Sequence, residues 1–106
     1  MNIPYISAEE VRKNLSMEDA IQCTENVYKL KSQDKTVVWP TIFYEFDPGH
    51  ADMDIKSGYL PEQHIFGHKT VAFMEANVQK GLPDLVGLIA VFSSETGMPL
   101  GLGDGS

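Results

Sequence analysis

The first third of the chain carries apolar residues at the spacing of α-helices, and two serines mark where the helices begin. Ser7 and Ser16 each stand shortly before a pair of acidic residues, which is typical of a capped helix N-terminus. We expect a short helix through about Leu15 and a second helix from Met17 to about Lys31. The second helix has one apolar face, made of Met17, Ala20, Ile21, Thr24, Val27 and Tyr28.

The rest of the chain is rich in β-branched and aromatic residues that glycine and proline interrupt. The predicted strands are Ile3–Ile6 at an edge, Val37–Phe46 with an edge or bulge at Pro40, an alternating segment around Met53–Ile55, Ile65–Phe73, Leu85–Phe92 and Met98–Leu102. The last two are expected to form a hairpin. Ser57–Pro61 is predicted as a break and Glu75–Lys80 as a loop. The pattern predicts an α+β fold, in which two N-terminal helices pack on a mainly antiparallel sheet.

Length, charge and cysteine content narrow the class of protein. The 106 residues suffice for one domain, and the net charge of −7 argues against nucleic acid or an anionic membrane surface as partner. No apolar stretch reaches the ~18 residues of a membrane span, and the N-terminus lacks the pattern of a signal peptide. Cys23 is the only cysteine, which excludes an internal disulfide and favours the cytoplasm.

Histidines and carboxylates occur near one another, but their pattern does not favour a metal site. His50, Asp52 and Asp54 fall in a segment where polar and apolar residues alternate, as on the solvated face of a strand. His64 and His68 are four residues apart, a metal-binding spacing in a helix, whereas their neighbours favour a strand. We predict no metal ligand.

Known motifs of nucleotide binding and nucleophilic catalysis are also missing from the sequence. The glycines of Gly101-Leu102-Gly103-Asp104-Gly105 alternate, but no helix follows them, so they do not form a phosphate-binding loop. There is no Walker loop and no nucleophile elbow. No catalytic residue is predicted.

Lys69 is the one basic residue in the apolar run Ile65–Phe73. A lysine in a strand with apolar neighbours needs a carboxylate partner, solvent or a ligand. The residues alone support two interpretations equally, an ion pair with Glu75 or Asp54 and a site for an anionic ligand.

Several segments together resemble the ornithine cyclodeaminase/mu-crystallin family. They are Ser7-Ala8-Glu9-Glu10-Val11-Arg12, Leu15-Ser16-Met17-Glu18-Asp19-Ala20-Ile21, Gly67-His68-Lys69-Thr70-Val71, Gly81-Leu82-Pro83-Asp84, Glu95-Thr96-Gly97-Met98-Pro99-Leu100 and Asp104-Gly105. The resemblance extends over nearly the whole chain, and it depends on the order and spacing of the segments together.

The resemblance implies a fold and partners. Members of the family join an α+β substrate-binding and dimerisation domain to a Rossmann domain that binds NAD(H) or NADP(H). This chain resembles only the first part, which implies a single incomplete domain over residues 1–106, with the Rossmann domain absent. NAD or NADP is implied for the full-length family, and no cofactor for this chain alone. The implied partners are a small amino-acid or imino-acid ligand and a second copy of the chain in a homodimer.

The resemblance also assigns site residues by position. Lys69 matches the family's pocket lysine, which binds the substrate carboxylate. Lys56 is a second candidate for substrate binding, with a solvated strand end as the alternative. Asp84 stands where the family often has a threonine near the cofactor, and it is the candidate cofactor contact. Ile42 occupies the place expected for an arginine, a departure that argues against ornithine as substrate.

The implied function is the N-terminal part of an ornithine cyclodeaminase-like, NAD(P)-dependent enzyme that acts on an amino or imino acid. The reaction classes are deamination with cyclisation and dehydrogenation, and the chain is expected to be inactive alone. The alternative, from a different class, is a non-enzymatic, mu-crystallin-like module that binds a small ligand or dimerises. Enzyme and binding module both remain open at this point.

Overall fold

The computed structural model describes residues 2–106, apart from the side chain of Met17. Its elements, in chain order, are β1 (Tyr5–Ile6), α1 (Ala8–Asn14), α2 (Met17–Ser32), β2 (Val37–Val38), β3 (Ile42–Asp47), β4 (Ala51–Leu60), β5 (Ile65–Met74), a 3-10 helix (Glu75–Lys80), β6 (Leu85–Ser93) and β7 (Pro99–Asp104). Both α-helices lie in the N-terminal third of the chain and six of the seven strands follow them, which confirms the α+β class.

Both N-terminal helices begin where their serines predict. The Ser7 side chain accepts a hydrogen bond from the backbone N–H of Glu10 at 3.2 Å. At α2 the capping is reciprocal, because Ser16 accepts from the N–H of Asp19 at 3.0 Å and Asp19 accepts from the N–H of Ser16 at 3.3 Å. These bonds satisfy backbone donors that a helix N-terminus otherwise leaves without partners.

The strands form one seven-stranded sheet in the order β1-β7-β6-β5-β4-β2, and β3 also pairs with β4. The pairs from β2 to β7 are antiparallel, and β6 and β7 form the expected hairpin. The edge strand β1 runs parallel to β7, with Tyr5 opposite Leu102. The sheet is therefore mixed, because α1 and α2 separate β1 from the remaining strands along the chain.

Three predictions about local structure are wrong. Ser57–Pro61 is not a break, since β4 continues to Leu60 and pairs with β5 over its whole length. Glu75–Lys80 is not an irregular loop but a 3-10 helix, which ends at Gly81 in the left-handed region with φ 70°. The single strand predicted over Val37–Phe46 is two strands, because Pro40 between them lacks the backbone N–H that a strand ladder needs.

Few side chains are removed from solvent in the described part. Ala90 of β6 is the buried apolar residue there, with 4% of its surface exposed. Ile42 and Phe43 project from opposite faces of β3 and remain 58% and 57% exposed. Hydrophobic residues of α2, such as Tyr28, are also largely exposed. The packing of the helices on the sheet therefore stays a prediction.

The three helices of the described residues are all too short or too polar to cross a lipid bilayer.

Candidate functional site

Two lysines stand directly opposite each other on neighbouring strands. Lys56 of β4 pairs with Lys69 of β5 in the antiparallel ladder. Residues in such positions project from the same face of the sheet, with Cβ atoms about 5 Å apart. Lys56 and Lys69 therefore point to one side, which we call the lysine face.

Beside the lysines, the lysine face has a hollow because the next residues on that face are glycines. Gly58 of β4 is opposite Gly67 of β5. A Cβ on Gly58 would lie 2.8 Å from the carbonyl oxygen of Val37, and a Cβ on Gly67 would lie 2.6 Å from that of Ala90. Neither position accepts a side chain without movement of a neighbouring strand. The hollow is thus built into the backbone.

The hollow belongs to a groove of about 410 Å³, lined by α2 and by strands β2, β4, β5 and β6. Its walls are largely apolar, and they include Val27, Val38, Leu60, Ile65, Ile89 and Val91. A concave, mostly apolar site with a few convergent polar groups is the usual form of a small-molecule site.

The charges of the groove are all positive. Lys31 of α2, Lys56 and Lys69 line it, and none of the chain's 15 acidic residues belongs to the described lining. The chain as a whole has a net charge of −7. The groove is therefore a local basic site on an acidic protein, and such a site favours an anionic ligand.

The ion pair expected for Lys69 with Glu75 or Asp54 does not occur in the described part of the chain. Glu75 pairs with His50, and the lysine ion pairs of the described residues involve Lys13 and Lys35. Asp54 lies on the lysine face two residues before Lys56, yet beyond ion-pair distance of Lys69. The described residues therefore do not support the ion-pair interpretation of Lys69, and the ligand site stays a prediction.

The stem of Lys69 rests against the end of β7. A Cβ on Gly105 would lie 3.3 Å from Lys69 Cε and 3.0 Å from Ile89 Cγ1. The Gly105 N–H donates to the carbonyl oxygen of Gly87 at 2.9 Å, which holds this backbone in place. The absence of a side chain at Gly105 leaves room for the lysine stem.

Asp84, the candidate cofactor contact, lies outside the groove. It precedes β6, and its carbonyl oxygen accepts a hydrogen bond from the N–H of Met74 at 2.8 Å. Ile89 of the groove lies five positions after Asp84, which is about 17 Å along an extended strand. The structure brings Lys56 and Lys69 together but does not bring Asp84 to them.

A second cavity, of about 590 Å³, lies at the other end of β4. His50 and Glu75 face each other there as an exposed ion pair. The hydrogen bond and the charge of Glu75, with a smaller contribution from Asp47, raise the pKa of His50 above its ordinary value of 6.5. No group of three or more metal-ligating side chains occurs among the described residues. This cluster connects β4 to the 3-10 helix.

The two histidines with helical spacing are separated by the fold. His64 precedes β5 in the left-handed region with φ 57°, and it lies 3.6 Å from a carboxylate oxygen of Glu95. His68 lies in β5 next to Lys69 and projects from the opposite face of the sheet, where its ring stacks near Phe92 at 6.0 Å. Its Nδ1 is buried without a hydrogen-bond partner in the described residues.

Three residues of the groove escape the sequence interpretation. The sequence places Gly58 in a predicted break and Gly67 in a family motif, and it does not indicate that they face each other. Their pairing depends on the register of β4 against β5. Lys31 is read as the end of a helix, although it lies four residues after Val27 and therefore on the same side of α2. That spacing is the one local signal that could have placed Lys31 at the groove.

Comparison with known proteins agrees with the resemblance seen in the sequence. The model of the ornithine cyclodeaminase/mu-crystallin family matches residues 4–106. Alanine dehydrogenase from Archaeoglobus fulgidus is 29% identical over 107 aligned residues, which cover 98% of this chain and 31% of that protein.

Solved structures share the fold. An archaeal alanine dehydrogenase dimer with bound NAD superposes with a TM-score of 0.86 at 30% identity, over 98% of this chain and 31% of that one. The Δ1-pyrroline-2-carboxylate reductase of Thermococcus litoralis, in complex with NADH and L-proline, has a TM-score of 0.87 at 24% identity, over 98% and 32%. The chain thus spans about a third of the length of the relatives it matches.

Proposed function

We propose that this chain, which belongs to the ornithine cyclodeaminase/mu-crystallin family, forms the substrate-binding part of an NAD(P)-dependent enzyme. The enzyme would act on an amino or imino acid. The observation that carries the proposal is the pair Lys56 and Lys69, opposite each other above a glycine hollow and without carboxylate partners in the described residues. A substrate carboxylate is the group that such a pair of ammonium donors fits.

The two opposed lysines of the groove provide a physical reason for binding an anion. Like charges at directly opposite positions of two strands destabilise the pairing. A carboxylate bound between Lys56 and Lys69 replaces this repulsion with two charge-assisted hydrogen bonds. The apolar side chains of Val38, Leu60 and Val91 line the groove beside the lysines and offer contacts to the rest of the ligand.

The sequence contains no phosphate-binding glycine loop for a dinucleotide. A phosphate-binding glycine loop connects a strand to the N-terminus of a helix. Gly101 and Gly103 instead lie within the extended strand β7. We assign to this chain the binding and orientation of the substrate and no redox step. The contact between Asp84 and a cofactor stays a prediction.

The reaction class follows the relatives. The relative from Archaeoglobus fulgidus is an alanine dehydrogenase, and it covers almost the whole chain at 29% identity. This supports dehydrogenation of an amino acid or reduction of the matching imino acid, and a cyclodeaminase relative at 28% identity supports deamination with cyclisation equally. Ile42, at the position expected for an arginine, agrees with a substrate other than ornithine.

A calorimetric titration of the 106-residue chain with amino acids tests the proposal. We expect Lys69→Ala to weaken binding about 10- to 100-fold, because a hydrogen bond to a charged group contributes about 1.5–3 kcal/mol. Lys80→Ala is the matched control, since Lys80 is a lysine that lies outside the groove. Equal affinities of the wild-type and Lys69→Ala chains would contradict the role of Lys69. NAD-dependent turnover by the chain would contradict its assignment as a binding part.

A second candidate is a non-enzymatic module that binds a small ligand. It is favoured by the groove, because residues of a single chain supply its described lining. The test compares the affinity of this chain for an amino acid with that of a fusion between this chain and a dinucleotide-binding domain. Equal affinities would support the binding module over the enzyme.

We further propose that the protein is a cytoplasmic homodimer. The lone Cys23 is a free thiol, which suits a reducing compartment. The exposed apolar side chains of β3 lie on both of its faces, Ile42, Tyr44 and Phe46 on one and Phe43 on the other, and a second copy can cover them.

A further inference from the structure

We infer that the groove selects an amino or imino acid whose side chain carries a second anionic group, and that Lys31 of α2 recognises this group. The inference rests on the proposed function, because it takes the first carboxylate to be held by Lys56 and Lys69. It adds the substrate class and a residue that determines it.

The three cations of the groove lie on three elements, two paired strands and one helix. Lys56 and Lys69 belong to the paired strands β4 and β5, where one carboxylate can bridge them. Lys31 belongs to the last turn of α2, and it reaches the groove together with Val27, one helical turn before it. A ligand with one carboxylate uses the strand pair and leaves the ammonium group of Lys31 without a partner.

The position of Lys31 has an alternative explanation in the helix itself. A basic residue in the last turn of a helix interacts favourably with the helix dipole. Lys29 lies in the same turn and provides this interaction as well, but it does not line the groove. Lys31 also forms no ion pair among the described residues. The helix dipole therefore explains a lysine at this end of α2 and not its presence in the groove.

The charge of the groove also excludes one class of substrate. Every α-amino acid carries an α-ammonium group, and a diamino acid would add a second ammonium group next to Lys31 or the strand lysines, where no acidic residue of the described lining can pair with it. An unpaired charge in a largely apolar site is costly. An amino acid with a small neutral side chain fits the groove but gains nothing from Lys31. A dicarboxylic amino or imino acid satisfies all three lysines.

Calorimetric titration of the 106-residue chain with L-aspartate, L-glutamate, L-alanine and L-ornithine tests the inference. We expect at least one acidic amino acid to bind about 10-fold or more tightly than L-alanine, and L-ornithine to bind most weakly. Lys31→Gln should weaken binding of the acidic amino acid about 10-fold and weaken binding of L-alanine much less. Lys31→Glu should reverse the preference between acidic and diamino ligands. Lys29→Gln is the matched control and should change neither.

The outcomes separate this inference from the proposed function. If L-alanine or L-ornithine binds as tightly as the acidic ligands and Lys69→Ala abolishes that binding, the proposed function stands and the inference is overturned. If Lys31→Gln weakens the binding of all ligands equally, Lys31 does not recognise the side chain of the ligand, and the inference is overturned. Absence of binding by every amino acid contradicts both proposals. Circular dichroism of each variant checks that α2 is retained.

Discussion

Substitution of Gly67 by alanine tests whether the two central strands approach each other as closely as the structure indicates. A Cβ at this position would lie 2.6 Å from the carbonyl oxygen of Ala90, whereas ordinary van der Waals contact begins near 3.4 Å. The atom it meets belongs to the backbone of Ala90, a buried residue of β6. The collision can be relieved only by separation of β5 from β6.

The expected loss of stability combines two opposing effects. Overpacking of a well-packed site costs about 1–3 kcal/mol. Alanine also restricts the unfolded chain, which recovers about 0.4–1 kcal/mol. We expect Gly67→Ala to lower the free energy of unfolding by about 1–2 kcal/mol. In a domain of this size each kcal/mol shifts Tm by about 4–8 °C, so a decrease of about 5–15 °C follows.

The control is Gly101→Ala, in β7 of the same sheet. A Cβ on Gly101 would meet its nearest atom, the carbonyl oxygen of Pro4, at an ordinary 3.7 Å. Neither glycine has a positive φ, so only the available space distinguishes them. Thermal and urea denaturation should show Gly101→Ala as stable as the wild type or slightly more stable. Equal effects of the two substitutions would refute the close approach of Gly67 to the Ala90 carbonyl oxygen. They would also refute the argument that the backbone fixes the hollow beside the lysines.

Two further predictions concern the surface of the protein. The pKa of His50 should lie above 6.5 in NMR titration and fall in Glu75→Gln, because the Glu75 carboxylate stabilises the protonated ring. The stabilisation from the His50–Glu75 pair is therefore fully present just below pH 6.5 and is lost as the pH rises through the raised pKa of His50. Identical titration of His50 in the wild type and in Glu75→Gln would contradict this. Light scattering at micromolar concentration should give a dimer, since β3 leaves Phe43 and its neighbours exposed; a monomer would count against the second copy.

Local sequence determined the ends of the helices and most of the strands. Ser7 and Ser16 predict two helix starts because a capping serine bonds to an N–H only three residues away. The hairpin of β6 and β7 follows equally from neighbouring residues. Such features depend on contacts of short range, which a single sequence contains in full.

The same local reasoning misplaced residues whose structure depends on distant partners. Gly58 and Leu60 read as a break, since glycine lowers strand propensity, but pairing with β5 holds them in β4. Cross-strand contacts outweigh intrinsic preference in a sheet. The parallel pairing of β1 with β7 likewise joins the two ends of the chain.

The sequence by itself determined that Lys69 is an unusual lysine, through its apolar neighbours and through the family it resembles. Only the tertiary structure decided that Lys56 stands opposite it, that Gly58 and Gly67 open a hollow beside them, and that Lys31 reaches the groove from α2. The physical reason is register. A shift of one residue between β4 and β5 would turn the two lysines to opposite faces, and that register is set by the pairing of whole strands rather than by any residue alone.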